Sequence, residues 1–296
     1  MNSDIFLKLL ITMPTVLELI NLSTGYLQNK GIDSPKLNAE LLLAKVLNCK
    51  RLDLYLAFDR PLIESELTDY RNFIKRRSKN EPLQYIVGSV EFYGLEFFVN
   101  SSVLIPRQET EILVESIIST NKNIENLKIL DVGTGSGIIA VCLAKYLNQA
   151  HVVAIDSSSD ALRVAKENAI INAVEQKINF IQHDINSDGV ALGNDFDIIV
   201  SNPPYISKDE YPKLQPELRI YEPRIALTDD SDGFSYFYKI TKKANKLLKN
   251  KGKIYFEVSR GQYSQVENIL KSENFSNTGV YKDYLNIERV VYGDLN

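Results

Sequence analysis

The chain has no tryptophan, two cysteines and two histidines in 296 residues, and each scarcity closes off a class of chemistry. Cys49 and Cys142 cannot build a disulfide framework, and neither stands in a CxxC or Cys/His spacing that would hold zinc. Cys142 lies in the apolar run IIAVCLA, the setting of a small buried hydrophobe rather than of a nucleophile. His151 and His183 have no ligating partner at helical spacing, so no metal site is expected and a histidine base is disfavoured. An excess of positive charge is also missing. The formal net charge is −4, whereas proteins that coat nucleic acid carry a basic footprint. The one basic run, Arg71 to Lys79, reads as a solvated helix face. No stretch approaches the ~20 apolar residues needed to span a bilayer. The opening IFLKLLITM lacks the basic start and small-residue cleavage site of a secretory leader, and Lys8 interrupts it. These absences predict a cytoplasmic protein with no membrane partner and no direct nucleic-acid partner.

What is present is ordinary globular material, 44% hydrophobic and 24% charged. The length suits one large domain and a smaller one. The first 84 residues read as a small all-helical domain. Ser34-Pro35 supplies a cap and a first-turn proline, and Leu37, Leu41, Ala44 and Leu47 then recur at helical spacing. Leu67, Tyr70 and Ile74 form a second apolar stripe after Pro61. Residues 85–100 read as a β-hairpin linker, with Leu95, Phe97 and Val99 alternating after a Tyr93-Gly94 turn. Residues 101–296 alternate strands and helices. Apolar strands at 129–132, 152–156, 178–182, 197–201 and 253–258 are separated by helical stretches, with a final strand at 288–292. That order predicts an α/β domain with a mostly parallel sheet covered on both faces.

The strand ending at Asp131 runs into Gly133-Thr134-Gly135-Ser136-Gly137 and then a helix. Glycines there let the backbone turn sharply and approach a nucleoside without a Cβ in the way. Dinucleotide enzymes place their third glycine where this chain has Ile138, so a pyrophosphate at the helix start is not expected. Asp156 ends the second strand and suits two ribose hydroxyls, or else caps the helix that follows. Asp184, after the third strand, can accept from an adenine amino group or serve as a turn aspartate. Together the loop and the two aspartates describe a nucleoside pocket at the carboxyl edge of the sheet.

The strand DFDIIVS ends in Asn202-Pro203-Pro204-Tyr205. An amide nitrogen is a poor nucleophile because its lone pair is delocalised into the carbonyl. Two acceptors aimed at its hydrogens, the Asn202 side-chain oxygen and the Pro203 backbone oxygen, favour a more reactive nitrogen. The prolines fix φ and remove donors, and Tyr205 offers a flat face for a planar group.

DVGTGSG, VAID and VSNPPY together resemble the class I methyltransferases, which have a Rossmann-like sheet and modify exocyclic or amide nitrogens. IPRQETE, EPLQYIVGSVEFYGLEF, YEPRIAL, FEVSRGQ and DYLNIERVV narrow the resemblance to the HemK/PrmC family of release factor glutamine methyltransferases. It runs from about Met13 to Gly293, which leaves residues 1–12 as an extension. The resemblance implies S-adenosyl-L-methionine as cofactor and N5-methylation of the glutamine in the Gly-Gly-Gln loop of peptide chain release factors. It also implies a helical N-terminal domain that helps hold the release factor, acting in a monomer. Gly133 to Gly137 and Asp156 would bind the cofactor, Ile185 would add an adenine contact, and Asn202 to Tyr205 would bind the glutamine. Asn202 closes the cofactor side as well. Two departures stand out: DYLNIERVV lacks a glycine common in the family, and Ser259 replaces another.

Two other readings share some of these features. A base amino-group methyltransferase acting on DNA or RNA would use the same corner, because that nitrogen is also conjugated; the acidic balance opposes it. A silent scaffold on the same fold would not need an intact loop and corner.

Overall fold

The structure, a computed structural model, describes residues 13–187 and 192–296; the extension assigned to residues 1–12 lies outside the described residues. The chain divides into two compact units. One runs to Gly88 and takes in Pro216–Tyr221, and the other comprises Ser89–Gln215 and Glu222–Asn296.

The smaller unit contains α1 (Val16–Asn29), α2 (Pro35–Val46), α3 (Asp53–Leu56), α4 (Glu64–Arg77) and α5 (Leu83–Val87). A capping box opens α1: Thr15 Oγ1 accepts the Glu18 N–H, and Glu18 accepts the Thr15 N–H in return. Leu19, Ile20 and Leu27 of α1 pack with Ala39, Leu42 and Leu43 of α2 and with Leu67, Tyr70 and Ile74 of α4. The α4 stripe is the one its spacing predicts. Helix α2 buries Ala44 of its expected face and packs Leu47 on the core, but Leu37 is 39% exposed while Ala39, Leu42 and Leu43 are buried. Two polar residues that find partners inside account for the wider buried face. Asn38 donates to the Asp33 and Ser34 carbonyls, and Glu40 accepts from Arg51 Nε and the Tyr55 hydroxyl. Ser34 sits in the left-handed region and makes no side-chain cap, so Pro35 alone marks the helix start.

The larger unit begins with the hairpin β1 (Ser89–Phe92) and β2 (Leu95–Phe98). Tyr93 and Gly94 both have positive φ, 50° and 72°, as a tight two-residue turn requires. One sheet follows, made of β3 (Lys128–Val132), β4 (His151–Asp156), β5 (Ile178–Gln182), β6 (Phe196–Ser201), β7 (Leu248–Glu257), β8 (Phe275–Lys282) and β9 (Glu288–Leu295). Its order is β5-β4-β3-β6-β7-β9-β8. The first five are parallel, and β9 runs antiparallel to β7 and β8.

Successive strand residues serve opposite layers. Ile129, Val152 and Ile198 pack with α6 (Thr110–Asn121), α7 (Ile138–Tyr146) and α8 (Ser159–Ile171). Leu130, Ile199, Ile254 and Phe256 pack with α9 (Ser235–Leu247) and α10 (Tyr263–Ser272). A parallel sheet buried on both faces must be apolar on both, which gives its strands their unbroken hydrophobic runs. Cys142 is fully buried within α7, as its apolar setting predicts.

The basic run is not a solvated face throughout. Arg77 is 5% exposed. It donates to Asn38 Oδ1 at 2.6 Å, to the Glu81 carbonyl at 2.9 Å and to Glu217 Oε2 at 2.9 Å. Glu217 belongs to the short helix Pro216–Tyr221, which groups with this unit. Arg77→Met would strand Glu217 and Asn38 without their cation. It should lower the unfolding free energy by about 3 kcal/mol, read from chemical denaturation. An unchanged midpoint would show that the buried charge adds nothing.

Candidate functional site

Parallel pairing aligns the strand ends. Ile181, Ile155, Val132, Ser201 and Phe256 are successive partners across β5, β4, β3, β6 and β7. The next residues, Gln182, Asp156, Gly133, Asn202 and Glu257, therefore leave the carboxyl edge at one level. The strand order reverses between β3 and β6, where α/β sheets open a crevice for ligands. A cavity lies there, lined by Gly133, Gly135, Asp156, Asp184 and Ile185 together with Asn202, Pro203 and Pro204. Ser201 Oγ donates to the Val132 carbonyl at 2.7 Å and pins the two central strand ends together.

Within the glycine loop, Gly133 and Gly135 have φ of 73° and 56°, and a Cβ on Gly133 would meet nothing within 4 Å. These two glycines leave backbone bare to the cavity. Gly137 has a different duty, because a Cβ there would lie 2.9 Å from Ala165 Cβ on α8. Thr134 and Ser136 are buried and do not line the cavity. Thr134 donates to Asp131 Oδ2 at 2.6 Å, and the Ser136 carbonyl accepts from Asn168 at 2.8 Å. Four of the five loop amides have protein acceptors. Gly133 and Thr134 donate to the Ile155 carbonyl, Gly137 to the Thr134 carbonyl, and Gly135 to Asp156 Oδ2. A phosphate cradle would turn those N–H groups outward.

Asp156 Oδ2 accepts the Gly135 N–H and Oδ1 accepts the Ser158 N–H, each at 2.9 Å. Each oxygen keeps a lone pair for a ligand hydroxyl. Burial pushes the Asp156 pKa up, against the Ser158, Gly135 and Ser157 amides that favour its charged form. The alternative duty, capping α8, falls to Ser158, whose Oγ accepts the Ala161 N–H. Asp184 serves as a turn aspartate at the cavity wall. Its Oδ1 accepts from the Asn186 backbone and side chain, and the residue still lines the cavity beside the buried Ile185. Tyr236 of α9 closes the same wall.

At the corner, Asn202 Nδ2 donates to Thr110 Oγ1 at 3.3 Å, leaving Oδ1 for a donor in the cavity. Pro203 is buried. Tyr205 departs from its expected place. It does not line the cavity; its ring packs against the core layer of α9 and α10, and its hydroxyl donates to Glu257 Oε1 at 3.4 Å. The cause is the buried carboxylate at the end of β7, which draws the phenol away from the opening. The Tyr205 carbonyl accepts from Gln262 Nε2 at 3.1 Å. A Cβ on Gly233 would come within 2.6 Å of that carbonyl, so the backbone after the prolines is braced.

Sequence reasoning gave no roles to Thr110, Glu222 and Glu257, although IPRQETE, YEPRIAL and FEVSRGQ contain them. Glu222 accepts the Ile105 N–H at 3.1 Å and pairs with Arg107, tying two of those motifs together. The two departures are absorbed locally. Asn286 adopts a φ of 63°, a conformation asparagine tolerates better than most residues, and Asp283 accepts the Leu285 and Ile287 N–H groups. Ser259 donates its N–H to Gln262 Oε1 and accepts the Gln262 N–H on its carbonyl.

Glu257 is 2% exposed and its Oε2 has no hydrogen-bond partner. Burial pushes its pKa up to about 7, against the Thr110 and Tyr205 hydroxyls. Asp131 is pushed to about 7 by burial as well, against Thr134. A carboxyl raised in the fold stabilises it below the ordinary carboxylate range and loses that contribution as pH rises through its folded value. Glu257→Gln should therefore gain stability relative to the native chain by on the order of 2–3 kcal/mol between pH 5 and pH 8. Thermal or denaturant melts at the two pH values check this. A constant difference would place the charge in a wetter setting.

Among the described residues no helix is long and apolar enough to cross a membrane, and no group of three His, Cys, Asp or Glu could hold a metal ion. Residues 18–88 match the PrmC N-terminal domain and residues 107–218 the methyltransferase small domain. The chain is 43% identical over 282 residues to the release factor glutamine methyltransferase of Chlorobaculum tepidum, covering 93% of this chain and 95% of that one. It is 39% identical over 280 residues to the Geobacter sulfurreducens protein of the same name, covering 94% and 96%. Among solved structures, the catalytic domain of hMettl16 in complex with the MAT2A 3′UTR hairpin 6 superposes with a TM-score of 0.54. That match covers 69% of this chain and 77% of the other at 15% identity, a likeness of fold. With the full-length similarity and the aligned strand-end site in agreement, this chain belongs to the family of release factor glutamine methyltransferases.

Proposed function

We propose that the protein transfers a methyl group from S-adenosylmethionine to the side-chain amide nitrogen, N5, of the glutamine in the Gly-Gly-Gln motif of peptide chain release factors. The observation that carries this reading is the shared level of Asp156, Gly133 and Asn202 at one sheet edge, in a chain of this family. A base amino group would fit the same corner, but the family's protein substrate decides against it.

The donor set fits the cofactor. Asp156 offers two carboxylate oxygens to ribose hydroxyls, Gly133 and Gly135 offer bare backbone, and Asp184 and Ile185 offer an acceptor and an apolar surface to adenine. Loop amides already bonded to protein acceptors suit a ligand without phosphates. When bound, S-adenosylmethionine supplies an electrophilic methyl group carried on a sulfonium.

The chain's own residues do the positioning. Asn202 Oδ1 and the Pro203 carbonyl accept from the two N–H groups of the glutamine amide and hold its nitrogen toward the cofactor side. The rigid prolines keep both acceptors in place. No residue has to remove a proton first, because the methylated nitrogen is strongly acidic and releases its proton to water. The acceleration comes from orientation and from acceptors aimed at developing charge. The helical unit helps hold the release factor, and the enzyme works as a cytoplasmic monomer.

Asn202→Ala should cut turnover by about 10²-fold or more while cofactor affinity hardly changes. Asp156→Ala should weaken cofactor binding by roughly 1–3 kcal/mol. Calorimetric titration and initial rates separate the two effects. Mass spectrometry of a release factor after reaction tests the function itself. A methyl group found anywhere but on the Gly-Gly-Gln glutamine would overturn it.

A further inference from the structure

An asparagine amide has nearly the same shape in its two flips, yet only one of them serves the proposed reaction. With Oδ1 outward, Asn202 accepts from the substrate amide. Flipped, it sets NH₂ against NH₂. A directional partner must choose between them. Thr110 Oγ1 is that partner, since it accepts from Asn202 Nδ2 at 3.3 Å. A hydroxyl has a single proton, and its oxygen serves Asn202 as a reliable acceptor only if that proton is committed elsewhere.

The committed acceptor stands one strand over. Glu257 follows Phe256, the partner of Ser201, so it leaves the sheet at the level of Asn202. It is 2% exposed, and its Oε2 has no hydrogen-bond partner. The Thr110 and Tyr205 hydroxyls both favour its charged form, and Tyr205 donates to Oε1 at 3.4 Å. An ionised carboxylate only accepts, so any hydroxyl that turns to it must donate. A buried, incompletely bonded carboxylate is costly, and a glutamine would fill the same space more cheaply. The charge itself therefore calls for an explanation.

We propose that Glu257 is a positioning residue that, by drawing the Thr110 proton toward itself, fixes the Asn202 amide with its oxygen facing the substrate glutamine. The assignment rests on the reading of Asn202 as acceptor for that glutamine. It makes the polarity of the relay depend on the Glu257 charge. Once protonated, Glu257 can donate to Thr110, whose own proton is then free to turn to Asn202 and admit the wrong flip. The groups that face Glu257 besides these hydroxyls are Glu109, which raises its pKa, and Arg289, which lowers it. Those two are themselves 3.5 Å apart.

The test uses the full chain with a release factor as substrate. The native enzyme should gain turnover as pH rises through about 7, where Glu257 ionises. Thr110→Val and Glu257→Gln should each lower kcat by about tenfold or more. The KM for release factor and the calorimetric Kd for S-adenosylmethionine should stay within about twofold. Thr110→Ser should restore the rate, and Glu257→Gln should flatten the rise around neutral pH. Should Glu257→Gln fold poorly, the Thr110→Val and Thr110→Ser pair decides alone. The relay is overturned if Thr110→Val turns over normally. It is equally overturned if Thr110→Val loses cofactor affinity along with rate and Thr110→Ser fails to rescue it. A native enzyme that leaves glutamine unmethylated would instead remove the functional reading underneath, and the relay with it.

Discussion

Five parallel strands reach the carboxyl edge in step, and this register governs where each group of the site stands. Side chains alternate faces along a strand, so a slip of one residue would exchange the two buried layers. At β6 such a slip would send Ile198 and Val200 to the face now filled by Ile199. The same slip would bring Ser201 or Pro203 to the level that Asn202 occupies. Packing of apolar side chains on both faces thus sets the position of a polar amide at the end. The Ser201 bond to the Val132 carbonyl adds a short-range pin at the point where the strand order reverses.

The acidic groups at that edge are treated differently according to what surrounds them. Asp156 has a backbone amide on each oxygen and sits on the cavity wall, ready for neutral hydroxyl donors. Asp131 is wholly enclosed and holds the Thr134 hydroxyl, which shapes the glycine loop from behind. Glu257 is enclosed too, with one oxygen left over. The loop amides seen to bond are taken up by protein acceptors, so the selectivity of the pocket comes from carboxylate oxygens rather than from N–H groups. That choice favours a nucleoside with free hydroxyls over a phosphate-bearing one.

Much of this was legible in the sequence, for definite reasons. KILDV, VVAID and DFDIIVS are doubly buried strands, so they appear as apolar runs, and Gly133, Ser157 and Asn202-Pro203 follow them. The Asn202 corner was recognisable because two successive prolines after a buried strand are seldom tolerated elsewhere. The edge strand β8 is not legible in the sequence, because Ser276, Asn277, Thr278 and Gly279 break its alternation and its pairing with β9 shifts at the same place. Only part of the α2 face is legible, because Asn38 and Glu40 are buried with partners that only the fold supplies. The sequence places Tyr205 as a stacking face in the opening, yet its hydroxyl follows Glu257 into the interior. Thr110 and Glu257 lie far apart in the chain, and no local pattern marks either as a neighbour of Asn202.

The short helix Pro216–Tyr221 has a consequence for how the protein is made. It groups with the first 88 residues although the chain reaches it only after six strands of the other unit. A ribosome delivers the amino end first, so α1 to α5 emerge while Glu217 is still unsynthesised. Until then Arg77 has Asn38 and the Glu81 carbonyl but lacks its carboxylate. The nascent helical unit therefore holds a buried cation short of its counter-ion during translation. Its final closure must wait for residues that follow the Asn-Pro-Pro-Tyr corner, which ties the maturation of the two units to a single late stretch of chain.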